Sequence, residues 1–191
     1  MAEKRVVSTQ QAQSGLTTRD LILVAVLLAA GAVLKLTVSS FLTFAGMKPN
    51  FMIAMYCLAI ILVRPKVFQA VVIGFLTGLI SQIPMLNATP LVNLASETVG
   101  ALVCGLLVLA LAKAAKDSFA AQSVVFPAVI AFISTLFSGY TFALIVGCAL
   151  NGLGVAEVMV MYAPMVLGTG AMNCVVAAIL TPVLKKALKL A

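Results

Sequence analysis

The feature that most constrains this chain is a series of apolar runs that begins at Leu21 and continues to Leu184. Several of the runs reach about 20 residues, the length with which a helix crosses the hydrocarbon core of a bilayer. Apolar residues make up 63% of the chain and charged residues only 9%, whereas soluble domains carry roughly 25% charged residues. We therefore predict an all-α integral membrane protein that crosses the cell membrane several times.

Polar breaks, prolines and glycines divide these runs into six predicted helices, which we expect to form a six-transmembrane-helix bundle. The helices cover about residues 21–38, 49–63, 67–83, 90–113, 124–150 and 155–184. Asp20 or Thr18 is the predicted N-cap of the first helix, because such side chains accept hydrogen bonds from the free amide groups of the first turn. Residues 1–20 are then a short cytoplasmic tail, and residues 21–191 form a single transmembrane substrate-binding domain.

The basic residues are distributed unevenly between the two sides of this bundle. With six crossings, ten of the twelve Lys and Arg residues lie on the side of both termini, and only Lys35 and Lys48 lie on the other. Because basic residues accumulate on the cytoplasmic side, we predict cytoplasmic termini and an external Lys48. Lys35, near the end of the first helix, is expected to extend its amine outward. Basic residues at the ends of apolar runs indicate membrane topology and argue against a nucleic-acid partner.

The segment Gly46-Met47-Lys48-Pro49-Asn50 places a fixed cation between two apolar runs. Gly46 permits backbone conformations that other residues avoid, and Pro49 biases Lys48 toward an extended geometry. We expect Lys48 to lie on a shaped connection at the mouth of the second helix, which Pro49 opens. The alternative is an ordinary loop lysine that meets lipid headgroups.

Glu97 is the second charge that needs an explanation, because a carboxylate at membrane depth costs about 2.5–3.5 kcal/mol on insertion scales. Asn93, Glu97, Gly100 and Cys104 recur at helical spacing, so they share one face of the fourth predicted helix. Six crossings place the start of that helix on the outer side with Lys48. A cation and an anion that converge in this way predict a site for a small zwitterion with a large apolar side chain. The alternative is an internal Lys-Glu pair that only fixes packing.

We expect the carboxylate of this ligand at Lys48 and its ammonium at an acceptor, with Asn93, Glu97 and Asn173 as the candidates in falling order. The other predicted site residues are polar Ser138 and the apolar or aromatic walls Phe44, Met47, Phe51 and Tyr140. The chain has no histidine, no carboxylate cluster and no glycine-rich phosphate loop, so we predict no enzyme, metal site or cofactor.

Two motifs of small residues predict close approaches between helices. Ala25-x-x-x-Ala29 lies in the first predicted helix, and Gly74-x-x-x-Gly78 lies in the third. Small residues at this spacing let two backbones pack closely in a membrane. We interpret the glycine pair as an internal packing face.

Together these residues resemble the tryptophan-transporter (TrpP-type) family of bacterial substrate-binding membrane proteins. That family is itself similar to the S components of energy-coupling-factor (ECF) transporters. The similarity covers most of residues 21–184 and is most specific at Gly46-Met47-Lys48-Pro49-Asn50 and the methionine-rich helix that follows. The other residues that fit the family pattern are Met52, Met55, Asn93, Ser138, Gly139, Asn173 and Pro182.

The resemblance implies a six-helix S component that captures one small nutrient, tryptophan, from outside. A separate ECF module, with one transmembrane coupling subunit and two ATPase subunits, would then drive release inward. The face that carries Ala25 and Ala29 is similar to the S-component face that packs on the coupling subunit.

Three alternatives remain beside this interpretation. The ligand is a vitamin or another small nutrient, since one fold serves unrelated ligands. The chain is a stand-alone secondary carrier. Or it is a membrane scaffold without a ligand, in which Lys48 and Glu97 are packing features.

Overall fold

The structure is a computed structural model, and it describes residues 15–42, 48–83, 86, 89–114 and 124–189. Six of its helices have at least 12 residues, and none of the described residues lies in a β-strand. The predicted all-α class is therefore confirmed for this part of the chain. The helices are α1 (Thr18–Leu36), the short α2 (Val38–Phe41), α3 (Met52–Val63), α4 (Val67–Ile80), α5 (Pro90–Ala114), α6 (Val125–Leu144), which continues as a π-helical segment (Ile145–Leu150), and α7 (Val155–Ala187).

Two helix starts differ from the prediction, each for a physical reason. Helix α1 begins at Thr18 rather than Leu21 and its N-cap is Thr17, so the predicted caps were wrong. The Thr17 hydroxyl accepts a hydrogen bond from the Asp20 amide at 3.2 Å, and the Asp20 carboxylate accepts one from the Thr17 amide at 2.9 Å. This reciprocal capping box satisfies two amide groups together. Helix α3 begins at Met52 rather than Pro49, because the carbonyl of Asn50 is engaged by α7 instead of by the first turn of α3.

Helix α3 lies at the centre of the molecule. All nine residues from Met52 to Ile60 are buried, and the helix contacts α1, α4, α5, α6 and α7. A helix that is apolar on every side is stable only when other helices surround it or lipid does. Its central position brings the segment in front of it, with Lys48 and Asn50, between the surrounding helices.

Helices α4 and α5 pack closely against each other, and glycines make the contact possible. A Cβ atom at Gly74 would lie 2.5 Å from the Ala101 Cβ and 2.6 Å from the Glu97 carbonyl oxygen. A Cβ atom at Gly78 would lie 2.8 Å from the Leu94 Cα. The pairing of earlier α4 residues with later α5 residues shows that the two helices are antiparallel. The predicted glycine packing face is confirmed.

Within the part of the chain that the structure describes, three helical stretches are long and apolar enough to cross a membrane. They are Pro90–Leu111, Val125–Leu150 and Val155–Ala187. Helices α3 and α4 are apolar but shorter, and α1 carries Arg19, Asp20 and Lys35. The structure therefore agrees with a membrane protein, while six complete crossings remain a prediction.

One end of the bundle collects basic residues from several helices. The Arg19 guanidinium donates to the Leu188 carbonyl oxygen at 2.5 Å, which joins the start of α1 to the end of α7. Lys185, also near the end of α7, is close enough to Arg64 for the two charges to repel each other. Arg64 ends α3 in a left-handed conformation with φ of 50°. These contacts place the ends of three helices together, opposite the end that carries Lys48.

Candidate functional site

A cavity lies between α3, α5, α6 and α7, next to the segment that leads into α3. Its cavity volume is about 60 Å³, which is smaller than the roughly 300–1,000 Å³ of typical small-molecule sites. Its polar lining consists of Lys48, Asn50, Asn93, Ser96, Thr135, Ser138 and Thr169. The remainder consists of Ile53, Gly139, Phe142, Tyr162, Met165 and Val166.

Among the described residues that line the cavity, Lys48 is the one that carries a charge. The residue is exposed and lies in the irregular segment ahead of α3, while Pro49 beside it is buried. A buried proline with fixed φ limits the backbone of the segment. The lysine is therefore presented at the cavity by a restrained backbone, and the residue remains exposed.

Glu97 lies behind the cavity wall and is 0% exposed. Its Oε1 accepts a hydrogen bond from Asn50 Nδ2 at 2.5 Å, and its Oε2 accepts a longer one from Ser138 Oγ at 3.4 Å. Helix α5 positions the carboxylate on the buried face shared with Asn93, as the spacing of these residues predicts. Both carboxylate oxygens thus have a donor from another part of the bundle.

Lys35 is the main correction to the expected charge arrangement. The prediction that its amine extends outward was wrong, because the side chain is buried at 2% exposure. Its charge attracts that of Glu97 within the bundle. In a medium of low dielectric constant an opposite charge stabilises a lysine that water no longer reaches. Lys35 of α1 is therefore close enough to Glu97 for their charges to attract, while its amine has no hydrogen-bond partner among the described residues.

Asn173 of α7 ties the segment ahead of α3 to the bundle. Its Nδ2 donates to the Asn50 carbonyl oxygen at 3.1 Å and to the Thr135 hydroxyl at 3.1 Å. The Thr135 hydroxyl in turn donates to the Ala131 carbonyl oxygen at 2.7 Å. The main chain of Asn50 is consequently fixed by α7, while its side chain is fixed by α5.

Several buried polar atoms near this network have no hydrogen-bond partner among the described residues. Buried polar groups in native proteins are paired in the large majority of cases, so each exception calls for an explanation. Asn50 and Thr169 also line the cavity. The unpaired atoms are Lys35 Nζ, Asn50 Oδ1, Tyr56 Oη, Ser81 Oγ, Ser134 Oγ, Thr169 Oγ1 and Asn173 Oδ1.

Gly100 sets the distance between α5 and its neighbours just below Glu97. A Cβ atom there would overlap the Tyr56 hydroxyl and lie 2.8 Å from the Ser138 Cβ. Glycine is therefore needed for α3 and α6 to approach α5 at this level. This close approach positions Ser138 to reach Glu97.

The structure brings together most of the polar residues predicted for the site. Lys48, Asn93 and Ser138 line the cavity. Glu97 and Asn173 lie directly behind it, each with a hydrogen bond to Asn50.

The predicted apolar and aromatic walls are placed differently. Phe51 is 5% exposed and lies on a separate apolar groove with Leu34, Val38 and Met172. Tyr140 is half-buried and lies outside the described lining. Phe44 and Met47 fall outside the described residues. Ala25 and Ala29, which were predicted to contact the coupling subunit, are both exposed on α1.

Several residues that line the cavity were not predicted from the sequence. Helical spacing from Ser138 points to some of them, because positions three and four residues away lie on the same face. The same spacing, counted backward from Asn173 along α7, points to Thr169 and Met165. The missed residues are Asn50, Ile53, Ser96, Thr135, Phe142, Tyr162, Met165, Val166 and Thr169.

Comparison with known proteins gives two findings. The family described as "Tryptophan transporter TrpP" matches residues 17–189. The chain is similar to a "Probable tryptophan transport protein" of Bacillus subtilis (strain 168), with 32% identity over 177 residues, which cover 90% of this chain and 94% of the relative. No solved structure matches the chain.

Proposed function

This chain belongs to the tryptophan transporter TrpP family, and on that premise we propose that it binds tryptophan from outside the cell for uptake. The family is a transporter family and not an enzyme family, which agrees with the prediction that the chain is not an enzyme. A transporter of this kind binds a small molecule and lies in a lipid bilayer, which suits the apolar helices of this chain.

The observation that carries the proposal is the division of the cavity lining into two chemical parts. Lys48, Asn50 and Asn93 supply a cation and two amides. Phe142, Tyr162, Met165 and two aliphatic side chains supply apolar and aromatic surface, and four hydroxyl groups complete the lining. An amino acid with an aromatic side chain also has a charged part and an apolar part. Its carboxylate and its ammonium are both attached to the α-carbon, and its aromatic ring extends away from that carbon.

The proposed orientation of tryptophan follows from this division. The carboxylate lies at Lys48, and the ammonium lies among the acceptors of the network that includes Asn93, Glu97 and Asn173. The indole ring lies against the aromatic residues on α6 and α7, where Met165 adds a sulfur contact. Flat rings gain stacking and sulfur–aromatic contacts in such surroundings.

The proposed topology has six crossings and both termini in the cytoplasm, with residues 21–191 as one domain behind a tail of residues 1–20. The collection of Arg19, Arg64 and Lys185 at one end supports it, because basic residues accumulate at the cytoplasmic side. The cavity and Lys48 then face outward.

The proposed energy source is a separate ECF module, with the chain as its S component. Ala25 and Ala29 support this proposal, since both are exposed on α1 and offer a surface for close approach. A coupling subunit that packs there is the proposed route by which ATP hydrolysis drives release inward.

One observation favours a second candidate, a stand-alone secondary carrier. Glu97 is a fully buried carboxylate in a helix that is long and apolar enough to span a membrane, and such residues often mark ion or proton pathways. Uptake into vesicles that contain only this protein separates the candidates. A carrier works there with an ion gradient, whereas an S component does not transport without its module.

A ligand panel tests the proposed function. Purified protein is heated with tryptophan, other amino acids and vitamins, and the shift of its unfolding temperature is measured. A ligand at 100 times its Kd stabilises the folded state by about 2.7 kcal/mol, so tryptophan should raise the midpoint and histidine should not. A shift with a vitamin alone would assign another substrate, and no shift with any ligand would favour a scaffold.

A further inference from the structure

The side-chain amide of Asn50 is held in one orientation. Its Nδ2 donates to Glu97 Oε1 at 2.5 Å. With Glu97 ionised, its carboxylate accepts hydrogen bonds and cannot donate them, so the nitrogen of the amide faces Glu97 and the oxygen faces away. That Oδ1 atom is buried and lacks a hydrogen-bond partner among the residues that the structure describes.

The main chain of Asn50 is held as well. Asn173 Nδ2 donates to the Asn50 carbonyl oxygen at 3.1 Å. With its side chain bound to α5 and its main chain bound to α7, Asn50 presents an acceptor at a fixed place. A preorganised acceptor binds a ligand donor at a smaller loss of conformational entropy.

Glu97 is less suited than Asn50 to meet the ammonium of a ligand directly. Its two oxygens already accept hydrogen bonds from Asn50 and Ser138, and its charge is attracted by Lys35. It is 0% exposed and outside the described lining of the cavity. Asn50 lines the cavity and is separated from Lys48 by Pro49 alone.

We propose that Asn50 Oδ1 accepts a hydrogen bond from the ammonium group of tryptophan, and that Glu97 is a positioning residue that keeps Asn50 in its accepting orientation. The inference rests on the proposed function and narrows it. Lys48 and Asn50 then receive the two charged groups of one amino acid from a single short segment. Ligands without an ammonium gain nothing from Asn50.

The test compares tryptophan with indole-3-propionate, which keeps the indole ring and the carboxylate but has no ammonium. Calorimetry measures both ligands on the wild-type protein and on Asn50→Leu. We expect the substitution to weaken tryptophan binding at least tenfold and indole-3-propionate binding less than twofold. Equal losses for both ligands, or unchanged tryptophan binding, would overturn the role of Asn50.

Glu97→Gln tests the positioning role, and it also tests the inference should Asn50→Leu not fold. A glutamine amide both donates and accepts, so it no longer fixes the direction of the Asn50 amide. We expect this variant to lose part of its preference for tryptophan over indole-3-propionate. In the double variant Asn50→Leu/Glu97→Gln, tryptophan should bind no more weakly than in Asn50→Leu. If the double variant loses tryptophan affinity by the product of the two single-variant losses, Glu97 acts on the ligand directly and the positioning role is refuted.

Asn93 is the competing candidate for the ammonium acceptor, because its side-chain amide also lines the cavity. Asn93→Leu therefore makes the same change at that position. If Asn93→Leu removes the preference for tryptophan and Asn50→Leu does not, Asn93 is the acceptor. A wild-type protein that binds neither ligand would overturn the proposed function together with this inference. A wild-type protein that binds both equally well would leave tryptophan binding intact and overturn the inference alone.

Discussion

The side chain of Asn50 donates a hydrogen bond to Glu97 over 2.5 Å, although 47 residues separate the two in the sequence. This contact connects the segment that carries Lys48 to the buried face of α5. The sequence left two interpretations of the charges, a ligand site and an internal Lys-Glu pair. In the structure, Lys35 is near enough to Glu97 for their charges to attract inside the bundle, and Lys48 lines the cavity.

The pair of Lys35 and Glu97 should contribute to stability as a unit. Lys35→Met leaves a buried carboxylate without its cation, which is strongly destabilising in other proteins. Lys35→Met/Glu97→Gln removes both charges and should recover part of the loss, with a coupling energy of about 0.5–3 kcal/mol. Denaturant unfolding of the purified protein measures each variant. Losses that simply add would show that the two residues do not stabilise each other.

The close packing of α4 on α5 should not tolerate a side chain at Gly74. Gly74→Ala places a methyl group 2.6 Å from the Glu97 carbonyl oxygen, and relief requires the two backbones to separate. Overpacking of this kind costs about 1–3 kcal/mol. Gly168→Ala is the matched control, because a Cβ atom there has nothing within 4 Å. The unfolding temperature should fall for Gly74→Ala alone, and equal midpoints for the two variants would contradict the packing account.

The exposed face of α1 should be needed for transport and not for binding. Ala29→Trp adds a bulky ring to a surface on which we expect the coupling subunit to pack closely. We expect normal tryptophan binding, loss of cellular uptake and loss of the complex with the ECF module. Leu91→Trp, at a position of α5 that is 73% exposed, is the control. If Ala29→Trp leaves both uptake and the yield of the complex normal, this face of α1 does not contact the coupling subunit.

The topology predicts opposite labelling of the two ends of the bundle. Lys66 and Asn151 are both exposed and lie at opposite ends. Single cysteines are introduced there after the four native cysteines have been replaced by alanine. A membrane-impermeant thiol reagent added to intact cells should label Asn151→Cys and leave Lys66→Cys unlabelled. Labelling of Lys66→Cys from outside would reverse the proposed orientation.

The helices could be predicted well because their signals are local. Apolar length, prolines and glycines placed α5 and the glycine contact of α4 correctly. The start of α3 was missed because its cause is a tertiary hydrogen bond from Asn173 to Asn50. The position of Lys35 was missed for the same kind of reason, since its partner Glu97 lies 62 residues further along the chain.

The site could be predicted only in part. The spacing of Asn93 and Glu97 on one helix face indicates a polar surface, and the restrained Lys48 indicates a cation next to it. The order of helices around the cavity is not contained in local periodicity, so Phe142 and Tyr162 were not selected over Phe51. Sequence spacing shows which residues share a face, and packing decides which faces meet.

In the proposed binding mode, Lys48 binds the carboxylate of tryptophan. At about 4 Å and an effective dielectric constant of about 20, such a charge pair is worth about 4 kcal/mol before desolvation, and the loss of water by both ions reduces the net value. Calorimetry of tryptophan and indole on the wild-type protein and on Lys48→Ala measures this contribution of Lys48.

We predict that Lys48→Ala weakens tryptophan binding tenfold or more, which corresponds to about 1.4 kcal/mol, and that indole binding changes far less because indole has no carboxylate. Equal losses for the two ligands would mean that Lys48 shapes the segment ahead of α3 instead of binding the carboxylate. Unchanged tryptophan affinity would remove Lys48 from the site and contradict the account.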